Sequence, residues 1–458
     1  MDHTPADVRP RQNRHGRHET GDKSRIMTET EMTDHAGHAV QVIPKDDRSI
    51  SIEKPDLVAV VKVDDYEPEN VKRGIQRVME LLDPAFLKDS LESKTVFIKV
   101  NGLAPFSLAC SHPTVVEELG KYLQAKGCKK VLVGDSTFNK IFTAVTLKKV
   151  GLAAVAERLG NPVVNFFEQG WKPVSHASFK TEAIVSVPEA IAAADIVINQ
   201  PRMKTHAGCV FTGAIKNFYG LEVNKNRMHA IHQSKDDFQR LLGDIHQAVL
   251  ATGPGKTTKP VLHLLDGIVG MEGKKGPSAG KPRAFKVLIG SFSPAALDTV
   301  AFTLMGGDPT ALETIHSLAT RNNWPASIDA LRIVGDDWRS LVQKAELPPI
   351  GVLKARRELK KNRLLLWATK VVIRVNHRRC KKCLTCVKQC PVGALSKQGD
   401  KIVLDETKCI NCFCCGECCP NDALAPTTKL HETLTKVLVL AAIAAAVVIV
   451  LYVLLELH

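Results

Sequence analysis

Two cysteine-rich stretches decide the fold of the C-terminal part of this chain: CKKCLTCVKQCP at residues 380–391 and CINCFCCGECCP at residues 409–420. Each has the spacing C-x2-C-x2-C-x3-C followed by proline, with which thiolates hold paired [4Fe–4S] clusters. Three thiolates of one run bind one cluster, and the fourth binds the other cluster. The spacing therefore predicts two [4Fe–4S] clusters, the first held by Cys380, Cys383, Cys386 and Cys419, and the second by Cys409, Cys412, Cys415 and Cys390.

The residues around the two runs repeat in the same way. Short strands are expected before each run, at Val371–Val375 and Lys401–Leu404, so the chain should form a small ferredoxin-like α+β module over residues 371–426. Zinc is the alternative metal, because paired C-x2-C motifs also bind Zn(II). Cys414 and Cys418 are additional cysteines, and they are either spare thiols or substitutes in an altered ligand set.

The remaining cysteines are scattered, and no apolar segment resembling a secretory signal opens the chain. This distribution indicates reduced, metal-binding thiols in a cytosolic setting and disfavours a secreted disulfide scaffold. Residues 1–50 are polar and charged without apolar periodicity, and they are predicted to be disordered.

Between these regions, short apolar runs alternate with amphipathic stretches. Expected strands include Leu57–Val63, Thr95–Val100 and Ile184–Val187, and expected helices include Glu67–Leu82 and Ile141–Leu159. This alternation predicts an α/β domain with a largely parallel sheet. We assign it to residues 51–345.

A basic linker, residues 346–370, is expected to join the two folded parts. Between Lys354 and Lys382 there are twelve Lys and Arg residues and one acid, Glu358, which accounts for most of the net charge of +14. Such a belt favours anionic lipid headgroups over nucleic acid, so no nucleic-acid partner is expected. A solvated, charged linker is the alternative.

The segment Val437–Leu455 contains nineteen residues without a charge. As a helix it would be about 28 Å long, close to the thickness of a hydrocarbon core. The sequence therefore predicts a C-terminal transmembrane helix that anchors the protein in membrane lipid, and a buried core helix is the alternative. Because the basic residues precede this segment, the bulk of a single-pass protein would lie on the cytoplasmic side.

A second group of polar residues lies within the α/β domain. Residues 199–223 read NQPRMKTHAGCVFTGAIKNFYGLEV, and residues 264–280 read LLDGIVGMEGKKGPSAG. Polar residues at strand ends are where α/β sheets bind ligands, and Lys and His beside glycine-rich turns favour an anionic small molecule. The candidate catalytic residues are Lys204, His206, Lys216 and Asp266. Ordinary turns with solvated side chains are the alternative, and neither a Walker A loop nor a G-x-G-x-x-G fingerprint is present.

The motifs K-T-H at 204–206, T-G-A-I-K-N-x-x-G at 212–220, D-G-x-x-G-M-E-G at 266–273 and A-A-L-D-T-V-A at 295–301 resemble the family called "domain of unknown function 362". The resemblance covers about residues 55–335. Members of this family often carry an appended pair of [4Fe–4S] motifs, and the general reaction of the family is undefined.

These features lead to three functional hypotheses. The first is a membrane-anchored iron–sulfur oxidoreductase that passes electrons through two [4Fe–4S] clusters between a redox partner protein or quinone-linked donor and a ligand near Lys204, His206, Lys216 and Asp266. The second is an electron-transfer protein without its own substrate. The third is a redox-sensing or assembly factor. Substrate-dependent reoxidation of reduced clusters distinguishes the first hypothesis from the others.

Overall fold

The computed structural model of the chain describes residues 45–105, 107–137, 140–207, 209–222, 224–232, 235–255, 257–277, 280–348, 371–421, 423–431, 433–435 and 437–438.

The strands and helices follow the local sequence pattern. The strands are β1 Leu57–Lys62, β2 Thr95–Lys99, β3 Lys130–Asp135, β4 Val164–Asn165, β5 Trp171–Val174, β6 Val185–Pro188, β7 Ile196–Asn199, β8 Arg202–His206, β9 Val210–Thr212, β10 Val261–Glu272, β11 Lys281–Arg283, β12 Val287–Ser291, β13 Arg332–Gly335, β14 Val371–Val375, β15 Leu395–Gln398, β16 Lys401–Leu404 and β17 Leu424–Thr428. The helices are α1 Pro68–Leu82, α2 Pro113–Ala125, α3 Lys140–Lys149, α4 Leu152–Arg158, α5 Glu189–Ala193, α6 Ala214–Asn217, α7 Lys225–Ile231, α8 Lys235–Ala251, α9 Pro294–Leu304, α10 Glu313–Asn322, α11 Thr385–Lys388 and α12 Cys414–Glu417.

The helix α1 shows how the sequence determines these elements. It begins with Pro68, whose fixed φ suits the first turn of a helix. Its buried residues include Val71, Ile75 and Val78, which recur at helical spacing and form one apolar face. It ends at Leu82, and the next residue, Asp83, adopts a left-handed conformation with φ 43°.

The large domain is built on a mixed, largely parallel sheet with the strand order β13-β1-β12-β10-β7-β2-β3-β4. The strands β10, β7, β2, β3 and β4 run parallel to one another. The strand β12 lies antiparallel between β1 and β10. Strand β8 extends alongside β10 and pairs antiparallel with β9. The predicted α/β domain with a largely parallel sheet is confirmed.

Helices cover both faces of this sheet. Along β1, Val58 and Val60 belong to one apolar core, whereas Ala59 and Val61 belong to another, because successive strand residues point to opposite faces. The first core contains residues of α8, α9 and α10, and the second contains residues of α1, α2 and α4. The domain therefore has three layers, with the sheet between two layers of helices.

Two predicted elements differ from the structure. The helix expected over Ile141–Leu159 is divided into α3 and α4, because Gly151 has φ 84°, a value at which a helix cannot continue. The strand expected at Ile184–Val187 pairs with β5 in a separate hairpin and lies outside the main sheet. Hydrophobic periodicity reports neither the backbone conformation of a glycine within a helical stretch nor the partner of a strand.

Part of the N-terminal segment lies against the α/β domain. The Asp46 N–H donates to the Ser175 carbonyl at 3.0 Å, and the Ala177 N–H donates to the Asp46 carbonyl at 2.7 Å. Arg48 donates to the Ala251 carbonyl at 3.0 Å. The rest of the predicted disordered segment, residues 1–44, and residues 349–370 of the predicted basic linker lie outside the described residues.

The prediction of a transmembrane helix at Val437–Leu455 is corrected. Within the described ranges, none of the helices is both long enough and apolar enough to cross a membrane. A span needs one continuous helix of about 20 apolar residues, and an uncharged run of sequence does not by itself establish such a helix. Residues 439–458 of the chain lie outside the described residues. The predicted single-pass membrane location, with the bulk of the chain on the cytoplasmic side, depended on that helix and is withdrawn. The predicted lipid contact through this anchor is withdrawn with it.

Candidate functional site

The cysteine module repeats its backbone geometry in both halves. Lys382 and Asn411 occupy equivalent positions in the two runs and have the same φ of 55°, and the equivalent Leu384 and Phe413 have φ of 62° and 66°. Such left-handed values are uncommon for residues other than glycine. Each run then enters a short helix, α11 or α12. The internal repeat in the sequence is therefore a repeat of structure.

The thiols of the first run gather with one thiol of the second. Burial, followed by the nearby thiols of Cys419, Cys383 and Cys380, raises the pKa of Cys386 to about 11. Electrostatic influence of this kind requires proximity. These four residues are the set predicted for the first cluster.

The second set is similar. Burial raises the pKa of Cys409, and the thiols of Cys412 and Cys390 add to this effect. Burial raises the pKa of Cys415 as well, with contributions from Cys412, Cys418 and Cys409. Cys418 therefore lies close to the thiols predicted to bind the second cluster.

Backbone donors point at the sulfur of the fourth cysteine in each run. The Ala394 N–H donates to Cys390 Sγ at 3.1 Å, and the Ala423 N–H donates to Cys419 Sγ at 3.3 Å. Such hydrogen bonds favour the thiolate that binds iron and tune the reduction potential of a cluster. Among the described residues, no three His, Cys, Asp or Glu side chains could hold a single metal ion. A cubane does not need such a group, because each thiolate binds a different iron. The cysteine residues therefore fit iron–sulfur clusters.

A cleft of about 600 Å³, part of it open to solvent, lies at the ends of β2, β3 and β8 in the α/β domain. The residues that line it are Asn101, Gly102, Leu103, Asp135, Ser136, Thr137, Lys204, His206, Thr212, Lys216, Asn217, Tyr219, Gly220, Lys225, His229, Pro277 and Cys414. Three of the four candidate residues, Lys204, His206 and Lys216, are thus brought together, whereas Asp266 does not line this cleft.

A buried ion pair supports the floor of the cleft. Lys99 Nζ lies 2.7 Å from Asp135 Oδ1, and both side chains are almost inaccessible to solvent. The Asp135 carboxylate also accepts hydrogen bonds from the N–H groups of Gly102 at 2.6 Å and Ser136 at 2.7 Å. A Cβ atom on Gly220 would lie only 2.3 Å from Asp135 Oδ1. The motif glycine at position 220 therefore permits the close approach of α6 and its following turn to this pair.

Two of the cleft lysines are held by direct contacts. Buried Lys204 donates to the Asn101 side chain and to the Ala109 carbonyl at 2.5 Å. Lys216 Nζ lies 5.0 Å from the ring centre of Tyr219, within the range of a cation–π interaction. These contacts restrict both ammonium groups before any ligand binds.

Lys225, the third cleft lysine, is half-buried as a residue, but its ammonium group lies within the cleft wall. Lys225 Nζ donates to Ser136 Oγ at 2.9 Å and to the Glu222 carbonyl at 2.5 Å. Burial lowers the pKa of Lys225 to about 7, while the negative charges of Asp135 and Glu222 oppose this change. Lys225 can therefore change its charge near neutral pH.

His206 lies at the end of β8, next to the cysteine module. The Cys209 N–H donates to His206 Nδ1 at 3.0 Å, so a neutral His206 carries its proton on Nε2. The next residue, Ala207, packs against the apolar core of the cysteine module. The segment that carries two cleft residues therefore also contacts the cysteine module.

Asp266 lies outside the cleft lining, in a buried group of hydrogen-bonded side chains. It is fully buried and accepts hydrogen bonds from the Tyr66 hydroxyl at 2.9 Å and the Ile268 N–H at 3.0 Å, and Arg202 Nε lies 3.6 Å away. Burial raises the pKa of Asp266, and the Arg202 charge opposes this effect. These contacts hold β8 beside β10, so Asp266 positions the strand that carries Lys204.

Asp298, from the last family motif, positions the helix α6, as Asp266 positions β8. Its carboxyl group accepts hydrogen bonds from the N–H groups of Ala214 at 2.6 Å and Ile215 at 3.1 Å. Burial raises the pKa of Asp298 to about 7, although these two donors oppose the change. A Cβ atom on Gly213 would lie 2.1 Å from Asp298 Oδ1. The Gly213 and Asp298 motifs therefore fix α6, which carries Lys216.

Sequence reasoning missed several residues of the cleft, above all Lys225, His229 and Cys414. Lys225 and His229 follow the motif at 212–220 but lie in no recognisable pattern of their own. Cys414 was noticeable as an extra cysteine, but no local signal links it to a cleft in another part of the chain.

The architecture defines an α/β protein with an appended iron–sulfur module. Residues 96–303 match the family model described as "Domain of unknown function (DUF362)", and residues 373–396 match the model described as "4Fe-4S binding domain". The chain therefore contains a DUF362 domain followed by a ferredoxin-type 4Fe-4S domain, and the resemblance predicted from the motifs is confirmed. The second match spans the first cysteine run, so the presence of a 4Fe-4S cluster is supported, and the second cluster stays a prediction.

Three known proteins are similar to parts of this chain. The thylakoid-associated protein sll1697 of Synechocystis sp. is 26% identical over 299 residues, which are 62% of this chain and 87% of that protein. A structural-genomics protein from Thermotoga maritima, target VR152, gives a TM-score of 0.29 at 14% identity, over 49% of this chain and 55% of that one. The lactate racemase apoprotein from Thermoanaerobacterium thermosaccharolyticum gives 0.32 at 14% identity, over 58% of this chain and 59% of that one. The chain spans less than two thirds of either solved structure, and no inference about activity rests on them.

Proposed function

We propose that this protein is an iron–sulfur oxidoreductase in which two [4Fe–4S] clusters exchange electrons with an anionic small molecule bound in the DUF362 cleft. One observation carries the proposal: Cys414, from the second cysteine run, lines the same cleft as Lys204, His206 and Lys216. Electron transfer becomes rapidly slower with distance, so a ligand in this cleft would lie in a favourable place to exchange electrons with the module.

The charge of the cleft supports an anionic ligand. Its lining contains Lys204, Lys216 and Lys225, whereas its acidic residue, Asp135, is already paired with Lys99. Cationic groups in a partly desolvated site attract carboxylates and phosphates more strongly than they would in water. They would also stabilise the additional negative charge that a ligand acquires when it is reduced.

The residues of the chain have separate tasks in this proposal. When bound, the clusters supply one-electron transfer. Lys204 and Lys216 bind and orient the anion, because their ammonium groups are already restricted by neighbouring side chains. His206 exchanges a proton at Nε2. Lys225 changes the net charge of the cleft when it gains or loses its proton near neutral pH. A redox partner protein supplies the electrons, and a quinone-linked donor is the alternative.

The test is reoxidation of the reduced protein under anaerobic conditions. The dithionite-reduced protein is freed of excess reductant and mixed with a panel of carboxylates and phosphate esters, while the visible absorbance of the clusters is followed. We expect at least one anion to reoxidise the protein, and we expect Lys216→Met to slow this reaction about tenfold or more, since an ionic contact contributes about 1.5–3 kcal/mol.

Lys72→Met is the matched control, because Lys72 is exposed on α1. If no anion reoxidises the clusters, an electron-transfer protein without its own substrate is favoured. If the clusters do not accept electrons at all, a sensing or assembly role is favoured. Equal rates for Lys216→Met and Lys72→Met would contradict the assignment of the cleft.

A further inference from the structure

The two halves of the cysteine module share one backbone geometry but differ in exposure. Cys383 of the first run is exposed. Its equivalent in the second run, Cys412, is half-buried. The next two residues, Leu384 and Thr385, are half-buried in the first run, whereas their equivalents Phe413 and Cys414 are buried. Cys414 lines the cleft of the DUF362 domain, whereas Thr385, at the equivalent position of the first run, is absent from the lining of that cleft. One end of the module therefore faces the interior of the protein, and the other end faces outward.

The two halves also differ in charge. The exposed end of the module carries four exposed basic residues, here called the basic face: Arg378, Arg379, Lys381 and Lys382. The equivalent positions of the second run are occupied by Thr407, Lys408, Ile410 and Asn411. The spacing of the thiolates does not require basic residues at these positions, so the repeat of the ligands does not explain the difference.

Two members of the basic face, Arg379 and Lys382, have intramolecular contacts. Lys382 Nζ lies 2.5 Å from Asp400, but the Asp400 side chain is 83% exposed. A pair this exposed contributes little stability and is screened by salt. The basic face therefore keeps a positive charge around Cys380 and Cys383, the first two thiols of the first cluster.

We propose that the basic face docks an acidic one-electron carrier protein, which delivers electrons at the first cluster. The carrier loses one electron, and the module gains it. The electron then leaves at the buried end of the module, and this last part alone rests on the proposed function of the cleft. A positive surface facing a negative one accelerates encounter and fixes orientation.

The location of the charge favours a protein carrier over other polyanions. Cys383 is exposed and follows directly after Lys382, so a docked protein could bring its redox centre close to a ligand of the first cluster. A lipid surface or a nucleic acid would contact the same positive charges, but its binding would not require that they surround an exposed iron ligand.

The experiment measures electron entry directly. A reduced acidic plant-type [2Fe–2S] ferredoxin is mixed with the oxidised protein in a stopped-flow instrument, and the rate constant is followed at increasing salt. In parallel, calorimetry measures the dissociation constant of the two oxidised proteins. We expect the rate to fall about tenfold or more between low and physiological salt, as for steered association.

Lys381→Glu/Lys382→Glu should lower the rate about tenfold or more and weaken binding in the calorimeter, while the iron content stays equal to that of the wild type. Lys381→Arg/Lys382→Arg should retain both properties. Lys72→Glu/Arg73→Glu on α1 introduces the same change in net charge at two exposed positions and should leave both unchanged.

Equal rates for the two charge-reversal variants would overturn the proposal. The proposal would also be overturned if Lys381→Glu/Lys382→Glu kept the ferredoxin kinetics of the wild type but lost binding to phosphatidylserine-containing vesicles or to single-stranded DNA. The basic face would then serve a lipid or a nucleic acid. The readout does not need a ligand in the cleft. A salt-dependent reduction that is never followed by reoxidation would refute the proposed function and leave the docking surface intact.

Discussion

The buried ion pair between Lys99 and Asp135 offers a sharp test of the site's construction. Asp135→Asn keeps the shape of the side chain but removes the negative charge beside Lys99 Nζ, which lies 2.7 Å away. Burial already lowers the pKa of Lys99, and Asp135 opposes that shift. Without this carboxylate, Lys99 must remain as an unpaired buried cation or lose its proton.

Both outcomes destabilise the folded state by a similar amount. Breaking a buried pair by removing one partner costs about 3–5 kcal/mol. Holding a lysine neutral at pH 7 costs about 1.4 kcal/mol for each pH unit below its ordinary pKa of about 10.4, which gives about 5 kcal/mol. We therefore expect Asp135→Asn to lower the free energy of unfolding at pH 7 by about 3–5 kcal/mol.

The direction of the pH dependence follows from the protons bound. If Lys99 is neutral in the folded variant and charged in the unfolded chain, the unfolded state binds more protons, and stability must rise with pH. The gain should be about 1.4 kcal/mol for each pH unit between pH 7 and the pKa of the unfolded lysine. The variant should therefore recover more than half of its lost stability by pH 9.

The assay is urea unfolding at pH 7 and pH 9, followed by tryptophan fluorescence, with two additional variants. Lys99→Met/Asp135→Asn removes both charges and should be more stable than Asp135→Asn at pH 7, because no uncompensated charge is left. Asp64→Asn, at an exposed side chain near Lys286, should change the stability by less than about 1 kcal/mol. The reasoning is refuted if Asp135→Asn behaves like Asp64→Asn, or if the double variant is no more stable than Asp135→Asn.

Three further predictions concern the cleft and its support. Sulfate, whose charge is constant between pH 6 and 8, should bind more weakly as pH rises through the pKa of Lys225, near 7, because the ammonium group becomes neutral. Lys225→Met should make this pH dependence weaker in calorimetry, and a flat wild-type profile, or equal profiles for the variant and the wild type, would contradict the prediction. Gly213→Ala should lower stability by about 2 kcal/mol or more, because its Cβ would lie 2.1 Å from Asp298 Oδ1, and an unchanged urea midpoint would show that this contact is relieved. Cys414→Ser should retain the iron of the wild type but slow reoxidation by a cleft ligand, whereas Cys415→Ser should lose iron, and iron loss in Cys414→Ser would make Cys414 a cluster ligand.

The features that could be predicted from the sequence are those encoded locally. The strand–helix alternation defined the α/β domain because apolar periodicity reports which face of each element is buried. The ferredoxin-type module was predictable because its ligand spacing is fixed by the geometry of the cluster. The grouping of Lys204, His206 and Lys216 followed from the tendency of sheets to bind ligands at strand ends.

The remaining features depend on contacts between distant parts of the chain. Asp266 follows a buried run and resembles a ligand-binding residue, but Tyr66 and Arg202 occupy its carboxylate. Lys225 donates to Ser136, and Cys414 reaches the cleft from the second cysteine run. The predicted transmembrane helix relied on apolarity alone, which does not show that a run of residues forms one continuous helix.

The most direct test of the central claim is the metal content of anaerobically purified protein, combined with EPR of the dithionite-reduced form. Two clusters require about eight irons and about eight acid-labile sulfides per chain, and the reduced form should give the broadened EPR signal of two interacting paramagnets. Colourless protein that contains zinc, or iron sufficient for no more than one cluster, would contradict the account.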